Sequence, residues 1–228
     1  MKLSKLNIGN EVFVYEDELY DITYDNSTAI SEKDAQNLLM KTKELFSSIN
    51  LNFYLAYGTL LGAIRDKGII PGDEDVDVFT DDEEKLYQNL PFLYKNGYKL
   101  CRMKKGKLYS FRINDKSYID VYILRPYISI WGLYCYSLSN HATPKKYFKE
   151  YQDIEFLGEI FRCPRNPEKL IEFWYGKDWE KPRAGKKYYY EVASAHYWHH
   201  YIKPLIASVI KFIIGWKYWK KRTLSNEQ

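Results

Sequence analysis

The 228 residues predict an α+β domain followed by a helical C-terminal appendage. Three observations carry that prediction. Residues 32–49 repeat apolar side chains at helical spacing, whereas the segments from 53 to 163 are mostly short, apolar or alternating, with Gly, Lys/Gly and Asn-Asp turn signals between them. No low-complexity linker interrupts this pattern, and 46% of the residues are hydrophobic, enough for one sizeable core. From residue 195 to residue 226 the chain is basic and apolar, without acids. We therefore divide it into a peripheral N-terminal segment (1–30), one domain (31–190) and a basic amphipathic tail (191–228).

Taken in order, Glu11-Val12-Phe13-Val14-Tyr15 alternates loosely and suits a peripheral strand or hairpin. Ser31 with Asp34 is a capping signal that opens a helix over 32–49, with Ala35, Leu38, Leu39, Leu45, Phe46 and Ile49 on one face. Phe53 to Tyr57 is an apolar run suited to a buried strand. The acids Asp81-Asp82-Glu83-Glu84 start a second helix running to Asn96 and ended by Gly97. They favour a helix N-terminus and are expected to be a solvated first turn, not metal ligands. Strands are expected over Tyr98–Met103, Leu108–Ile113 and Ser117–Leu124, then over 128–138, then over Glu155–Cys163 with a bend at Gly158. Pro167 opens a helix, Glu168–Tyr175, closed by Gly176.

The unusual chemistry is concentrated between Tyr57 and Thr80. Gly58-Thr59 turns the backbone where a short helix begins, and such a helix start offers free N–H groups to a phosphate. Arg65 follows, in a loop holding Gly68, Pro71 and Gly72, and then come Asp73, Glu74, Asp75 and Asp77. Asp75 and Asp77 alternate with Val76 and Val78, which suits a strand whose apolar face enters the core while both carboxylates point the other way. Two hard oxygen donors side by side suit Mg²⁺, or Mn²⁺ in its place. Asp120 stands between Ile119 and Val121 in an otherwise apolar strand, where burial without a partner would be expensive. Two readings follow for it: a third ligand beside Asp75 and Asp77, or a strand-edge acid exposed to water.

The order strand, Gly-Thr, helix, Asp-x-Asp strand is similar to the nucleotidyltransferase superfamily. The finer pattern resembles the LicD family: Gly-Thr-Leu-Leu-Gly-Ala-Ile-Arg from Gly58, Lys-Gly-Ile-Ile-Pro from Lys67, and Asp-Glu-Asp-Val-Asp-Val from Asp73. That family comprises phosphocholine transferases of bacterial surface glycans, with fukutin-type ribitol-phosphate transferases as relatives. A weaker resemblance to its C-terminal half runs through Phe156-Leu157-Gly158, Cys163-Pro164 and Tyr175-Gly176-Lys177-Asp178-Trp179 with Pro182. The resemblance implies a nucleotidyltransferase fold, a mixed central β-sheet flanked by helices. It also implies Mg²⁺-dependent transfer of a phospho-alcohol, typically phosphocholine, from a CDP-alcohol to a hydroxyl of a cell-surface glycan, with release of CMP. Asp75, Asp77 and Asp120 take the places of the metal ligands and catalytic carboxylates. Gly58, Thr59 and Arg65 would contact phosphate, Lys67 and Arg112 are lesser candidates for the same anion, and Asp73 would be a substrate contact. Trp174, Tyr175 and Trp179 could cage a quaternary ammonium by cation–π contact, or simply pack the core. The sequence departs from the family at Gly72, where Trp is usual, and at Asp66, where His is frequent. Two other functions fit the same residues: a strict nucleotidyltransferase that moves NMP from an NTP onto a small phosphorylated acceptor, and a non-catalytic glycan- or lipid-binding module. Three carboxylates weigh against the last.

Other features mostly exclude. A formal charge of +4 is modest, and its positives are spread through the chain except at the C-terminus, short of the strong basic bias of a nucleic-acid binder. The 23 tyrosines fit a carbohydrate- or choline-facing surface and equally a core that uses Tyr for bulk. Cys101, Cys135 and Cys163 are far apart and lack CxxC spacing, so reduced structural thiols are expected. The N-terminal residues have no long apolar run after their lysines, which argues for a cytoplasmic enzyme, at the inner face of the membrane if the tail docks there. That tail has no acid from Val192 to Asn226 and places Ile202, Leu205, Ile206, Val209, Ile210, Ile213 and Trp216 on one helical face. Its apolar runs are shorter than the roughly 20 residues needed to cross a bilayer. Residues 195–222 therefore suit either a membrane interface or a helix packed on protein. His196 and His200 have i,i+4 spacing but no acid or cysteine beside them and are read as surface or packing residues.

Overall fold

The computed structural model describes residues 3–17, 29–114, 117–128, 134–138 and 141–182, and residues 206, 208–210 and 212 of the tail. The chain divides into two units, Met1–Leu170 and Ile171–Gln228. In the first, Leu3–Ile8 (β1) and Glu11–Glu16 (β2) form an antiparallel hairpin, as the alternation of residues 11–15 leads one to expect. Helix α1, Glu32–Ser48, starts where the capping signal lies: the Ser31 hydroxyl accepts the Asp34 N–H at 3.1 Å.

The central sheet has five strands in the order β3-β4-β7-β6-β5, namely Tyr54–Leu55 (β3), Asp75–Thr80 (β4), Lys99–Lys104 (β5), Leu108–Arg112 (β6) and Tyr118–Ile123 (β7). Only the β4–β7 pair is parallel, so the sheet is mixed. Val76, Val78, Ile119 and Val121 are wholly buried, as the alternation along β4 and β7 requires. Phe111 on β6 stacks on Tyr98 with centroids 4.5 Å apart, and Tyr98 meets Phe46 of α1 edge-on at 6.0 Å. The Tyr98 hydroxyl, 2.6 Å from the Thr42 hydroxyl, satisfies the polar end of that buried ring.

Several expected elements differ in detail. The strand expected over residues 53–57 shortens to β3, because Ala56 is the N-cap of α2 (Tyr57–Arg65) and Tyr57 already belongs to the helix. The helix expected from 81 to 96 is two, α3 (Glu83–Gln88) and α4 (Leu90–Lys95). Pro91 lies in the first turn of α4, where its missing N–H costs nothing, but it cannot continue the hydrogen bonding of α3. The first turn of α3 is not simply solvated: the Glu83 carboxylate accepts from the Gly106 N–H at 2.5 Å and the Tyr109 hydroxyl at 2.8 Å, pinning the β5–β6 turn. The strand expected over 128–138 resolves into Arg125–Ile128 (β8) and Tyr134–Leu138 (β9), antiparallel to each other and joined by His141–Pro144 (β10). At Gly158 the chain does not bend but reverses: Leu157 and Gly158 both have positive φ, 52° and 77°, and connect Tyr151–Phe156 (β11) to Glu159–Pro164 (β12) as a hairpin.

Helix α5, Pro167–Tyr175, begins at the expected proline, and Gly176 follows it at φ 88°. Trp174 is buried, as core packing requires. Most of the tail expected as an amphipathic helix lies outside the described residues, as do His196 and His200. Ile206, Ser208, Val209, Ile210 and Phe212 are helical and exposed. No helix among the described residues is long and apolar enough to cross a membrane.

Candidate functional site

The register of the sheet assembles the site. The parallel pairing sets Asp77 beside Asp120 and Asp75 beside Tyr118, and across the β7–β6 pair Asp120 faces Ser110 while Tyr118 faces Arg112. Residues two apart on a strand share a face. Asp75, Asp77, Tyr118, Asp120, Tyr122, Ser110 and Arg112 therefore lie on one side of the sheet, opposite the valines and isoleucines of the core. Asp75, Asp77 and Asp120 each offer a carboxylate oxygen, and these three atoms lie within 4.8 Å of one another. Asp120 is only 3% exposed, which removes the reading of a strand-edge acid in water.

Helix α2 brings its N-terminus to the same point. The Gly58 N–H donates to Asp77 Oδ2 at 3.2 Å, and the Thr59 hydroxyl accepts the Asp77 backbone N–H at 2.8 Å. Thr59, expected to contact phosphate, is thus a buried clip between α2 and β4 whose hydroxyl fixes the backbone of a carboxylate residue. Asp73 joins the group from the loop before β4. Its backbone carbonyl accepts the Ile30 N–H at 2.7 Å, and a Cβ at Gly58 would stand 2.7 Å from its Oδ2. A side chain at Gly58 would require the Asp73 carboxylate to move, whereas the Asp77 carboxylate, 3.5 Å away, would remain in ordinary contact.

The electrostatics follow from four acids on one partly buried surface. Burial, then the charges of Asp120 and Asp73, push the Asp75 carboxyl well above the usual carboxylate range. Burial and the charges of Asp75, Asp73 and Asp120 do the same to Asp77, against the Gly58 N–H. Burial also raises Asp120, opposed by the Arg102 charge and by hydrogen bonds from Ser110 and Arg102. Tyr118 donates its hydroxyl to Asp75; burial and the neighbouring carboxylates raise its own pKa and keep it protonated. Tyr122 is raised for the same reasons and packs edge-on against Tyr57, with centroids 4.9 Å apart. Like charges this close repel in a medium that screens poorly. A divalent cation with a preference for oxygen ligands would relieve that repulsion, so the donor set fits Mg²⁺ or Mn²⁺.

The other sequence candidates are more distant. Arg65 ends α2, about 10 Å along the helix from Gly58 at 1.5 Å per residue. Its guanidinium grips Asp66 with two bonds, Nε to Oδ1 at 2.9 Å and Nη2 to Oδ2 at 2.7 Å. Asp66, one of the two departures from the family pattern, is therefore a partner of Arg65. Lys67 is exposed at φ 57° in the following loop, and Gly72 has φ 87°. Arg112 shares the carboxylate face, two strands from Asp75. Sequence reasoning missed Arg102, Ser110, Tyr118 and Tyr122. The tyrosines could have been found, because Tyr118 and Tyr122 stand two residues either side of Asp120 and must share its face.

Residues 50–166, about half of the chain and the whole of this site, match the family model described as LicD/FKTN/FKRP, nucleotidyltransferase domain. The chain belongs to this family. Two curated relatives resemble it: an uncharacterized protein of Rickettsia typhi, 41% identical over 99 residues, and one of Rickettsia prowazekii, 38% identical over 100 residues. These matches cover 41% and 42% of the chain and 30% and 36% of the relatives, so the chain spans about a third of their length. Among solved structures, the lincomycin-bound lincosamide antibiotic adenylyltransferase LnuA overlaps at TM-score 0.42 with 12% identity, covering 72% of this chain and 95% of that one. The antibiotic-resistance factor ANT(2'')-Ia overlaps at 0.44 with 14% identity, covering 84% and 100%. In the LicD family frame, the Gly58–Arg65 segment is helix α2 and the Asp-x-Asp pair opens strand β4.

Proposed function

We propose that this LicD-family protein transfers a phospho-alcohol, phosphocholine first among them, from a CDP-alcohol to a hydroxyl of a cell-surface glycan and releases CMP. The observation that carries the reading is the convergence of Asp75, Asp77 and Asp120 beside the N-terminus of α2. Mg²⁺ held by these three carboxylates would offset the negative charge that grows on the leaving CMP. The residues themselves would do the rest. The oxygen of the acceptor hydroxyl attacks the phosphorus that bears the alcohol, the bond from that phosphorus to the CMP oxygen breaks, and the hydroxyl proton passes to the Asp120 carboxylate. The start of α2, whose Gly58 N–H is held by Asp77, would turn its positive end toward the donor phosphates, and Arg112 would supply positive charge along the same sheet face. Arg65 at the far end of α2 and Lys67 just beyond it would serve a more distant part of the substrate.

The test is CMP release by the purified protein against a panel of choline, ethanolamine, glycerol and ribitol CDP-alcohols with Mg²⁺. Release from one member of the panel, lost in Asp77→Ala, is the expected result. Pyrophosphate release from an NTP, with every CDP-alcohol inert, would replace this reading with a strict nucleotidyltransferase. We also propose that residues 195–222 hold the enzyme at the cytoplasmic membrane surface, supported by the acid-free basic composition of that segment.

A further inference from the structure

We infer that Arg102 is a positioning residue for the carboxylate cluster, delivered to it by a β-bulge in the edge strand; the inference rests on the metal-dependent reading of Asp75, Asp77 and Asp120. Strand β5 pairs with β6 as Lys99 with Arg112 and Leu100 with Phe111, and then skips one residue so that Arg102 meets Ser110. Unbroken pairing would set Cys101 opposite Ser110 and turn Arg102 toward the core face with Tyr109. The extra residue, Cys101, reverses the parity of the strand and turns Arg102 onto the carboxylate face. One row then crosses four strands: Arg102, Ser110, Asp120, Asp77.

There Arg102 is 8% exposed and its guanidinium bonds to the site through Nε and Nη2. Nη2 donates to Asp120 Oδ1 at 2.9 Å and Oδ2 at 2.7 Å, and Nε donates to the Ser110 hydroxyl at 2.9 Å. That hydroxyl in turn donates to Asp120 Oδ1 at 2.5 Å. The guanidinium carbon also lies 5.7 Å from the ring centre of Tyr118, the residue whose hydroxyl holds Asp75. One side chain therefore fixes Asp120 directly and braces the tyrosine that orients Asp75. An ionised carboxylate has about four acceptor sites and these donors take three, so Asp120 keeps about one, for a cation or, once that bond loosens, for the proton of the acceptor hydroxyl. The planar guanidinium spans two residues, Nε holding Ser110 while Nη2 holds both oxygens of Asp120, and so fixes orientation as well as charge, which a single ammonium cannot do. A purely structural ion pair would stabilise the sheet without affecting how the acids hold a metal.

The distinguishing experiment is Mn²⁺ binding by the nucleotide-free full chain, followed by electron paramagnetic resonance, with melting temperature and CMP-release kinetics measured alongside. Arg102→Lys keeps the charge and loses the fork. It is expected to weaken Mn²⁺ about 10- to 100-fold, as loss of a residue that orients a metal ligand does, and to lower kcat while leaving KM for the donor unchanged. Ser110→Ala is expected to move both quantities the same way by a smaller factor. Arg102→Lys that folds and binds Mn²⁺ like the wild type overturns the inference. Should that variant fail to fold, unchanged Mn²⁺ affinity in folded Ser110→Ala overturns it. A wild-type protein that binds no Mn²⁺ removes the metal reading itself and this inference with it, whereas normal wild-type binding with an unaffected Arg102→Lys removes this inference alone.

Discussion

At Gly58 an added Cβ would meet Asp73 Oδ2 at 2.7 Å and Asp77 Oδ2 at 3.5 Å. The nearer atom is the far end of a side chain, so Gly58→Ala is expected to push the Asp73 carboxylate aside without unfolding the chain. Melting should fall by only a few degrees while CMP release drops about tenfold or more, the rough cost of misplacing one group at a reacting centre. Wild-type turnover in that variant would take the glycine out of the site. Asp75→Asn tests the acids themselves. The Asp75 carboxyl titrates above its ordinary value near 3.9 when folded, through burial and the charges of Asp120 and Asp73. Ionising it therefore costs stability: the cost is absent below about pH 3.9 and grows as pH rises through the folded pKa. Asn retains an acceptor for the Tyr118 hydroxyl but no charge. In metal-free buffer at neutral pH the variant should melt a few degrees above the wild type, with the gap closing toward pH 4, and it should be inactive with Mg²⁺ present. A variant that melts below the wild type at neutral pH would mean that Asp75 is not under electrostatic strain.

Among the elements, α2 does the most with the fewest residues, since its nine positions supply Gly58, the Thr59 clip and Arg65. Its distance from the following loop is set at Gly62, where a Cβ would lie 2.5 Å from the Gly68 carbonyl oxygen. Backbone cannot swing away as a side chain can. Gly62→Ala is expected to cost about 1–3 kcal/mol, the usual penalty for overpacking, read as a lower melting temperature and reduced turnover. At Gly68 a Cβ would have 4.0 Å to its nearest neighbour, so Gly68→Ala is the control and should melt like the wild type. Equal melting of the two variants would contradict the close approach. The site's main elements were legible for physical reasons. The capping signal at Ser31 and the Asp-Val alternation of residues 75–78 are local, and local patterns determine local structure. Pro91 was a readable break between α3 and α4 that the continuous acidic and apolar pattern masked. The role of Arg102 was not readable: in Leu-Cys-Arg-Met it looks like an ordinary strand residue, and only the skipped pairing with β6 gives it the carboxylate face. The Thr59 clip, 18 positions from its partner Asp77, is likewise a product of tertiary packing.

For the molecule as a whole, charge is distributed unevenly between the site and the tail. Asp75, Asp77 and Asp120 gather on one sheet face. Lys203, Lys211, Lys217, Lys220, Lys221 and Arg222 fall in a segment with no acid from Val192 to Asn226. Each Lys or Arg near an anionic bilayer contributes about 1 kcal/mol of attraction, which salt screens. Ile206, Val209, Ile210 and Phe212, helical and exposed, would add apolar burial at the interface. The full chain is therefore expected to sediment with vesicles containing phosphatidylserine at low salt, to release as salt rises toward 1 M, and to ignore purely zwitterionic vesicles. Deletion of residues 204–228 should abolish sedimentation, and Lys211→Glu with Lys217→Glu should weaken it. A helix packed on protein behaves differently: the deletion would leave vesicle binding unchanged and would instead lower the melting temperature or alter the mass in solution. Sedimentation with phosphatidylserine vesicles that is equal for the two forms would therefore assign the tail to packing on protein.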